Sequence, residues 1–145
     1  MPIQGNQRRA QAGNIYIIMY KIFIPILDKR KKLNTRGFWY NKNKFYYDYI
    51  IIKKYICNKE KLFYLLEKLK QEYIQEAIFY IHNNIGYIFY NRNNIEILKQ
   101  RYILKIDKRN RKYLKYNIKI LLKKYKGLTI YKEDNFYKIE VFFNE

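Results

Sequence analysis

The side chains able to perform acid–base or nucleophilic chemistry are few and scattered in this sequence. His82 is the single histidine, and a general base needs a hydrogen-bond partner, which only folding could bring from Glu76 or Asp48. Cys57 is the single cysteine, which excludes an internal disulfide, and one histidine with one cysteine cannot form the usual zinc sites within one chain. We therefore expect His82 to be a turn residue and Cys57 to be an unreactive thiol.

Carboxylates are candidates for a metal-dependent nuclease, because such an enzyme needs two or more of them on one cation. Asp48 lies on a predicted strand, and four glutamates fall in or beside the first predicted helix, namely Glu60, Glu67, Glu72 and Glu76. Nearby lysines on that helix favour ion pairs on a solvated face. The sequence also lacks the glycine-rich loops that bind nucleotide phosphates. We predict no catalytic residue, no metal site and no cofactor.

With catalytic, metal and cofactor sites set aside, the strong positive charge of the chain is the remaining indication of function. The chain has 31 Lys and Arg residues against 12 Asp and Glu, a formal net charge of +19, and the excess is concentrated toward both ends. Cations interleaved with aromatic residues are typical of nucleic-acid-binding proteins. The residues that we predict to contact nucleic acid are Arg8, Arg9, Lys29, Arg30, Lys31, Lys32, Arg36, Lys105, Lys108, Arg109, Arg111, Lys112, Lys115, Lys119, Lys123 and Lys126.

The lysines near the C-terminus show helical spacing. Lys112, Lys115, Lys119, Lys123 and Lys126 recur three to four residues apart beside the apolar stripe of a predicted helix. A row of this kind can follow a phosphate backbone and release its counterions. Eighteen tyrosines and nine phenylalanines are also more than one core of this size needs, so some could stack on unpaired bases from an exposed sheet face.

A high positive charge does not by itself require a nucleic acid. Ile, Lys, Asn, Tyr and Phe dominate the composition, and their codons are rich in A and T, so an AT-rich genome accounts for part of the lysine excess. A solvated face without a specific partner and an anionic membrane surface are further alternatives. A net charge of +19 nevertheless repels itself, which favours an anionic partner that offsets the repulsion.

The leading hypothesis is a non-enzymatic RNA-binding protein, a small ribosomal or ribonucleoprotein component in a reducing compartment such as a mitochondrial or plastid matrix. The signatures of RNA-recognition motifs and KH domains are absent from the sequence, which favours backbone recognition over base reading. A second hypothesis is an interaction or inhibitor module of a phage, plasmid or other mobile element that binds an acidic protein. A third is a nuclease that uses Asp48 with a helix carboxylate. Neighbouring proteins and the oligomeric state stay open.

Composition divides the chain into a tail and one domain. Residues 1–13 are rich in Gln, Gly and Ala, and we predict a flexible basic tail there. Residues 14–145 are expected to form one domain, since about 150 residues suit a single core. The apolar run at 14–27 contains Lys21 and Pro25, which leave pieces too short to cross a bilayer, so we predict a strand and no membrane span.

Hydrophobic periodicity predicts the remaining elements. They are, in order, a hairpin at 38–56, a helix after Asn58, a hairpin at 76–90, a short helix from Asn94 through Tyr102, a helix at 114–125 and a hairpin at 128–143. A basic loop is predicted at 28–37, and Gly127 is expected to cap the last helix. The sequence therefore predicts an α+β fold, an antiparallel sheet built from hairpins with two or three helices packed on one face.

Overall fold

The computed structural model describes residues 18–26, 33–41, 44–125 and 127–144. The elements in these ranges are β1 (Ile18–Ile26), β2 (Thr35–Asn41), β3 (Lys44–Cys57), α1 (Lys59–Glu72), β4 (Ile78–His82), β5 (Ile85–Asn91), β6 (Asn94–Leu98), β7 (Gln100–Asp107), α2 (Arg111–Tyr125), β8 (Gly127–Lys132) and β9 (Phe136–Phe143). The predicted tail at 1–13 lies outside the described residues, as do residues 28–32 of the predicted basic loop.

One antiparallel sheet contains all nine of these strands, in the order β6-β5-β4-β1-β3-β2-β8-β9-β7. Short connections create the predicted hairpins; for example, Asn83 and Asn84 join β4 to β5 with φ angles of 51° and 60°. Two consecutive positive φ angles match the tight turn that the twist of a hairpin favours, and asparagine tolerates them well. Pairing between β2 and β8 brings together residues about a hundred positions apart, such as Thr35 and Tyr131.

The sheet curls until its two edges approach each other. The edge strands β6 and β7 are consecutive in sequence and are separated only by Lys99. Asn144, just beyond β9, holds this junction: its side chain accepts a hydrogen bond from the Lys99 N–H (2.9 Å) and donates one to the Ile97 carbonyl (2.5 Å). The result is a nearly closed, barrel-like sheet.

This architecture corrects the predicted fold class. The described residues form mostly antiparallel sheet with two helices, and this nearly closed, barrel-like sheet is not a sheet with helices packed on one face. The physical reason is that strands such as β1 and β4 bury apolar residues on both of their sides, so neither side of these strands can be left to solvent. Phe23, Ile50, Ile81, Leu98 and Phe142 meet inside the curved sheet and form an interior cluster.

The two helices lie against separate parts of the outer surface. Three leucines of α1 pack on one half of the sheet: Leu62, Leu66 and Leu69. Three leucines of α2 pack on the other half: Leu114, Leu121 and Leu122. Each helix begins at an asparagine whose side chain accepts a hydrogen bond from a backbone N–H of the first turn, Asn58 from Lys61 (2.9 Å) and Asn110 from Tyr113 (3.2 Å). Both long helices were predicted, and both are confirmed.

Three local predictions are wrong. The stretch predicted as a short helix from Asn94 is the strands β6 and β7, in which apolar and polar residues alternate over 94–97 and again over 104–107. Gly127 does not cap a helix but begins β8, and its φ is not positive. Arg36 belongs to β2 and not to a loop.

Candidate nucleic-acid interface

Four lysines form a stripe along the solvent side of α2, named here the lysine stripe: Lys112, Lys115, Lys119 and Lys123. All four are exposed, whereas Leu114, Leu121 and Leu122 of the same helix are buried in the core. At about 100° per residue, the four lysines fall within about 80° of the helix circumference and span about 16 Å along its axis. The stripe is therefore long enough to follow several successive phosphates.

No carboxylate neutralises the stripe within the described part of the chain. The sequence of α2, RKYLKYNIKILLKKY, holds six basic residues and no acid. Helix α1 differs, because Glu60 and Glu67 each lie 3.1 Å from the Arg92 guanidinium. Basic residues in the first turn of α2 also oppose the helix dipole. The charge of α2 is thus uncompensated among the residues that the structure describes.

Apolar side chains border the lysine stripe on one side. Tyr116 is 62% exposed and lies on the helix between Lys112 and Lys119. Tyr113 and Ile120 are also exposed on the adjoining strip of surface. Unpaired bases stack on aromatic rings of this kind while their phosphates contact neighbouring lysines. The sequence suggested base stacking from an exposed sheet face, whereas these rings lie on a helix.

The entrance to α2 contains a local ion pair. The Arg109 guanidinium donates two hydrogen bonds to the Asp107 carboxylate, at 3.0 and 2.9 Å, and the Arg109 backbone N–H donates a third at 2.8 Å. These bonds lower the pKa of Asp107 to about 2. Lys108 is half-buried and Arg111 is exposed. Among the three predicted nucleic-acid contacts Lys108, Arg109 and Arg111, Arg109 therefore already has an ion-pair partner within the protein.

Two other predicted contacts lie away from the stripe. Lys105 is on β7 between Leu104 and Ile106, which pack against α2, so its side chain points to the opposite face of the sheet. There it faces Lys138 across the strand pair and lies 5.0 Å from the centre of the Phe136 ring. Arg36 is half-buried on β2, over the Phe38 ring at 5.6 Å.

Several predicted contacts lie outside the described residues. These are Arg8, Arg9, Lys29, Arg30, Lys31, Lys32 and Lys126. The candidate interface consists of the lysine stripe with its tyrosines.

A second group of cations was not predicted from the sequence. Lys21, Lys54, Arg101 and Lys138 line a cavity at one end of the barrel-like sheet. Only the pairing of distant strands brings them together, so sequence clustering could not reveal the group. One signal was available, since Lys21 interrupts an otherwise apolar strand.

Of the side chains considered for catalysis, His82 and Cys57 do not line the cavity that Asp48 and Glu76 share. The His82 Nδ1 is 3.3 Å from the Met19 carbonyl oxygen, and burial raises the pKa of the half-buried Cys57 thiol. Asp48 and Glu76 both line a larger cavity of about 930 Å³, which has aromatic walls. Among the described residues, no group of three or more His, Cys, Asp or Glu side chains could hold a metal ion.

Comparisons of the chain with protein-family models, curated proteins and solved structures found no match. Neither helix in the described ranges combines the length and the apolar character needed to cross a membrane. The candidate interface must therefore be judged on its own geometry and charge.

Proposed function

We propose that this protein binds RNA through the lysine stripe of α2 and acts as a non-enzymatic component of a ribosome or another ribonucleoprotein. The observation that carries the proposal is the uncompensated charge of α2: six basic residues, no acid, and four lysines on one exposed side. Lysines that contact phosphates release counterions, which favours binding without base reading. An unpaired RNA strand is favoured over a duplex because Tyr116 and Tyr113 offer exposed rings on which bases can stack.

The test is a salt series with labelled single-stranded and duplex RNA and DNA, followed by fluorescence anisotropy. For the intact protein, we expect log affinity to fall linearly with log salt, with single-stranded RNA bound most tightly. In the double variant Lys119→Gln/Lys123→Gln, binding weakens and the salt slope falls by about 1.4, since each lost phosphate contact on a single strand removes about 0.7.

A matched control lies on the other helix. Lys61 and Lys68 of α1 are exposed, and Lys61→Gln/Lys68→Gln removes the same two charges from the molecule. The control is expected to keep nearly the full salt slope. Equal losses in both double variants would mean that net charge alone drives binding. Weak binding at every salt concentration would contradict the proposal and favour an acidic protein as the partner.

A further inference from the structure

A cavity of about 320 Å³ lies at one end of the interior of the barrel-like sheet. Its wall contains four cations, one carboxylate and one tyrosine. They are Lys21, Lys54, Arg101, Lys138, Glu140 and Tyr131. Strands β1, β3, β7, β8 and β9 each contribute at least one of them. The cavity therefore exists only when the sheet has curled.

The single carboxylate of this cavity is paired with Arg101 and Tyr131. Glu140 is only 5% exposed, and its two oxygens accept hydrogen bonds from the Arg101 Nε (2.7 Å) and the Tyr131 hydroxyl (2.8 Å). Burial and the neighbouring Glu140 charge raise the pKa of Tyr131, so the hydroxyl keeps its proton and remains a donor. Glu140 thus neutralises the charge of Arg101, and the wall of the cavity holds four cations against this one carboxylate.

The three lysines line one cavity, and none of them has an ion-pair partner among the described residues. Lys21 and Lys54 are directly opposite in the β1–β3 pair, and Lys138 is directly opposite Lys105 in the β7–β9 pair. Like charges directly opposite each other in a sheet are destabilising. Within the described ranges, none of these four lysines forms a salt bridge with a carboxylate. Lys138 instead lies 4.5 Å from the centre of the Tyr131 ring.

We propose that this cavity binds the phosphate group of a phosphomonoester, either a mononucleotide or the terminal phosphate of a nucleic acid. Lys21, Lys54 and Lys138 would supply charge-assisted hydrogen bonds to the phosphate oxygens. A doubly charged phosphate also removes the repulsion between the opposed lysines, which a singly charged anion does less completely. A volume of about 320 Å³ is at the small end of ligand pockets, which suits a phosphate with a compact group attached.

This phosphate site is separate from the lysine stripe. Its lysines point to the interior side of the sheet, whereas α2 packs on the outer side. Phosphate binding in the cavity therefore does not depend on RNA binding by α2, and the two sites can be tested independently.

Thermal unfolding and calorimetric titration test the inference with inorganic phosphate, adenosine 5′-monophosphate and adenosine as probes, at ionic strength matched with sodium chloride. The informative variants are Lys54→Gln and Lys21→Gln. The control is Lys53→Gln, which removes the same charge as Lys54→Gln. Lys53 is adjacent to Lys54 on β3, but its side chain lies on the other face of the sheet, opposite Ile22.

Inorganic phosphate and adenosine 5′-monophosphate are expected to raise the melting temperature of the wild type and of Lys53→Gln. Each cavity variant should bind them about tenfold or more weakly, as expected for the loss of a hydrogen bond to a charged group. Adenosine should not bind. Absence of phosphate binding, or equal weakening in Lys53→Gln, would overturn the inference.

Two oligonucleotides of one sequence, with a 5′-phosphate or a 5′-hydroxyl, distinguish the two sources of the phosphate. A preference for the 5′-phosphate that disappears in Lys54→Gln supports a nucleic-acid end. Equal binding of the two oligonucleotides, together with tight binding of adenosine 5′-monophosphate, supports a mononucleotide. Lys119→Gln/Lys123→Gln should bind phosphate normally, so failure at one site is distinguishable from failure at the other.

Discussion

Asp107 and Arg109 form an ion pair just before the first residue of α2. The Arg109 side chain provides the largest contribution to the lowered pKa of Asp107, followed by the hydrogen bond from the Arg109 backbone N–H. Because the folded pKa is about 2 and the ordinary value is 3.8, this pair stabilises the folded state above about pH 4. The contribution is lost as the pH falls through 2. Both side chains are exposed, so solvent and salt screen the interaction.

We predict that the Asp107 carboxyl titrates with a midpoint of about 2 when it is followed by NMR. In Arg109→Gln the midpoint should rise toward the ordinary value, since the strongest cause of the lowered pKa is lost. It should not rise fully, because the backbone N–H of residue 109 remains a donor. Arg111→Gln is the control and should leave the midpoint near 2. A wild-type midpoint close to 3.8 would contradict the prediction.

At the residue scale, the sequence predicted only the contacts that depend on local spacing. Lys112, Lys115, Lys119 and Lys123 lie together because a helix aligns residues three to four apart. Lys21 and Lys54 are 33 positions apart in the chain, and only the β1–β3 register makes them neighbours. The lysine stripe was therefore predictable from the sequence, and the cavity lined by Lys21 and Lys54 was not.

The two helices differ most in their first turns. Helix α1 carries Glu60 at its second position, where a negative charge complements the helix dipole. Helix α2 carries Lys112 at the equivalent position and has no acid in its first turn. Helix α2 thus contains a charge arrangement that lowers its own stability, and an external anion would remove this disadvantage.

We predict that Lys112→Glu stabilises the folded protein while it weakens RNA binding. The free energy of unfolding should rise by about 0.5 kcal/mol, because the new carboxylate interacts favourably with the helix N-terminus. Chemical denaturation measures the first effect, and fluorescence anisotropy measures the second. Lys112→Gln should show a smaller change in both. If Lys112→Glu stabilised the protein but left the RNA affinity unchanged, Lys112 would not be part of the RNA interface.

At the element scale, long amphipathic helices were predicted correctly and short segments were not. Leu62, Leu66 and Leu69 fit only a helix, because they recur at its period over several turns. The segment after Asn94 is short, and residues such as Ile95 and Leu98 satisfy helical spacing by chance. Apolar and polar residues alternate over 94–97, which is the pattern of a strand, and two strands form in this segment.

The closure of the whole sheet could not be predicted from the sequence. It depends on the pairing of β2 with β8, which are far apart in the chain, and on the single residue, Lys99, that separates the two edge strands. Turn signals identify neighbouring strands but carry no information about distant ones. Apolar residues on both sides of β1 and β4 were the available hint that neither face is left to solvent.

Gly86 permits the closest approach across the interior of the barrel-like sheet. A Cβ atom at this position would lie 2.9 Å from both the Phe142 Cγ and the Phe79 Cε1. The rings of Phe79 and Phe142 already pack with their centres 5.5 Å apart, and both belong to the interior cluster or contact it. A side chain here would push β5 away from β9, the contact that brings the two ends of the sheet together.

We predict that Gly86→Ala lowers the free energy of unfolding by roughly 1 to 3 kcal/mol, the usual cost of overpacking a core. Gly127→Ala is the matched control, because its Cβ would meet nothing nearer than the Phe38 carbonyl oxygen at 3.7 Å, an ordinary contact. Urea denaturation measures both variants. Phosphate binding in the cavity lined by Lys21, Lys54 and Lys138 should also weaken in Gly86→Ala, because Phe142 forms part of the cavity wall. RNA affinity at the lysine stripe on α2 should not change. Equal stability of the two alanine variants would show that closure does not depend on this contact.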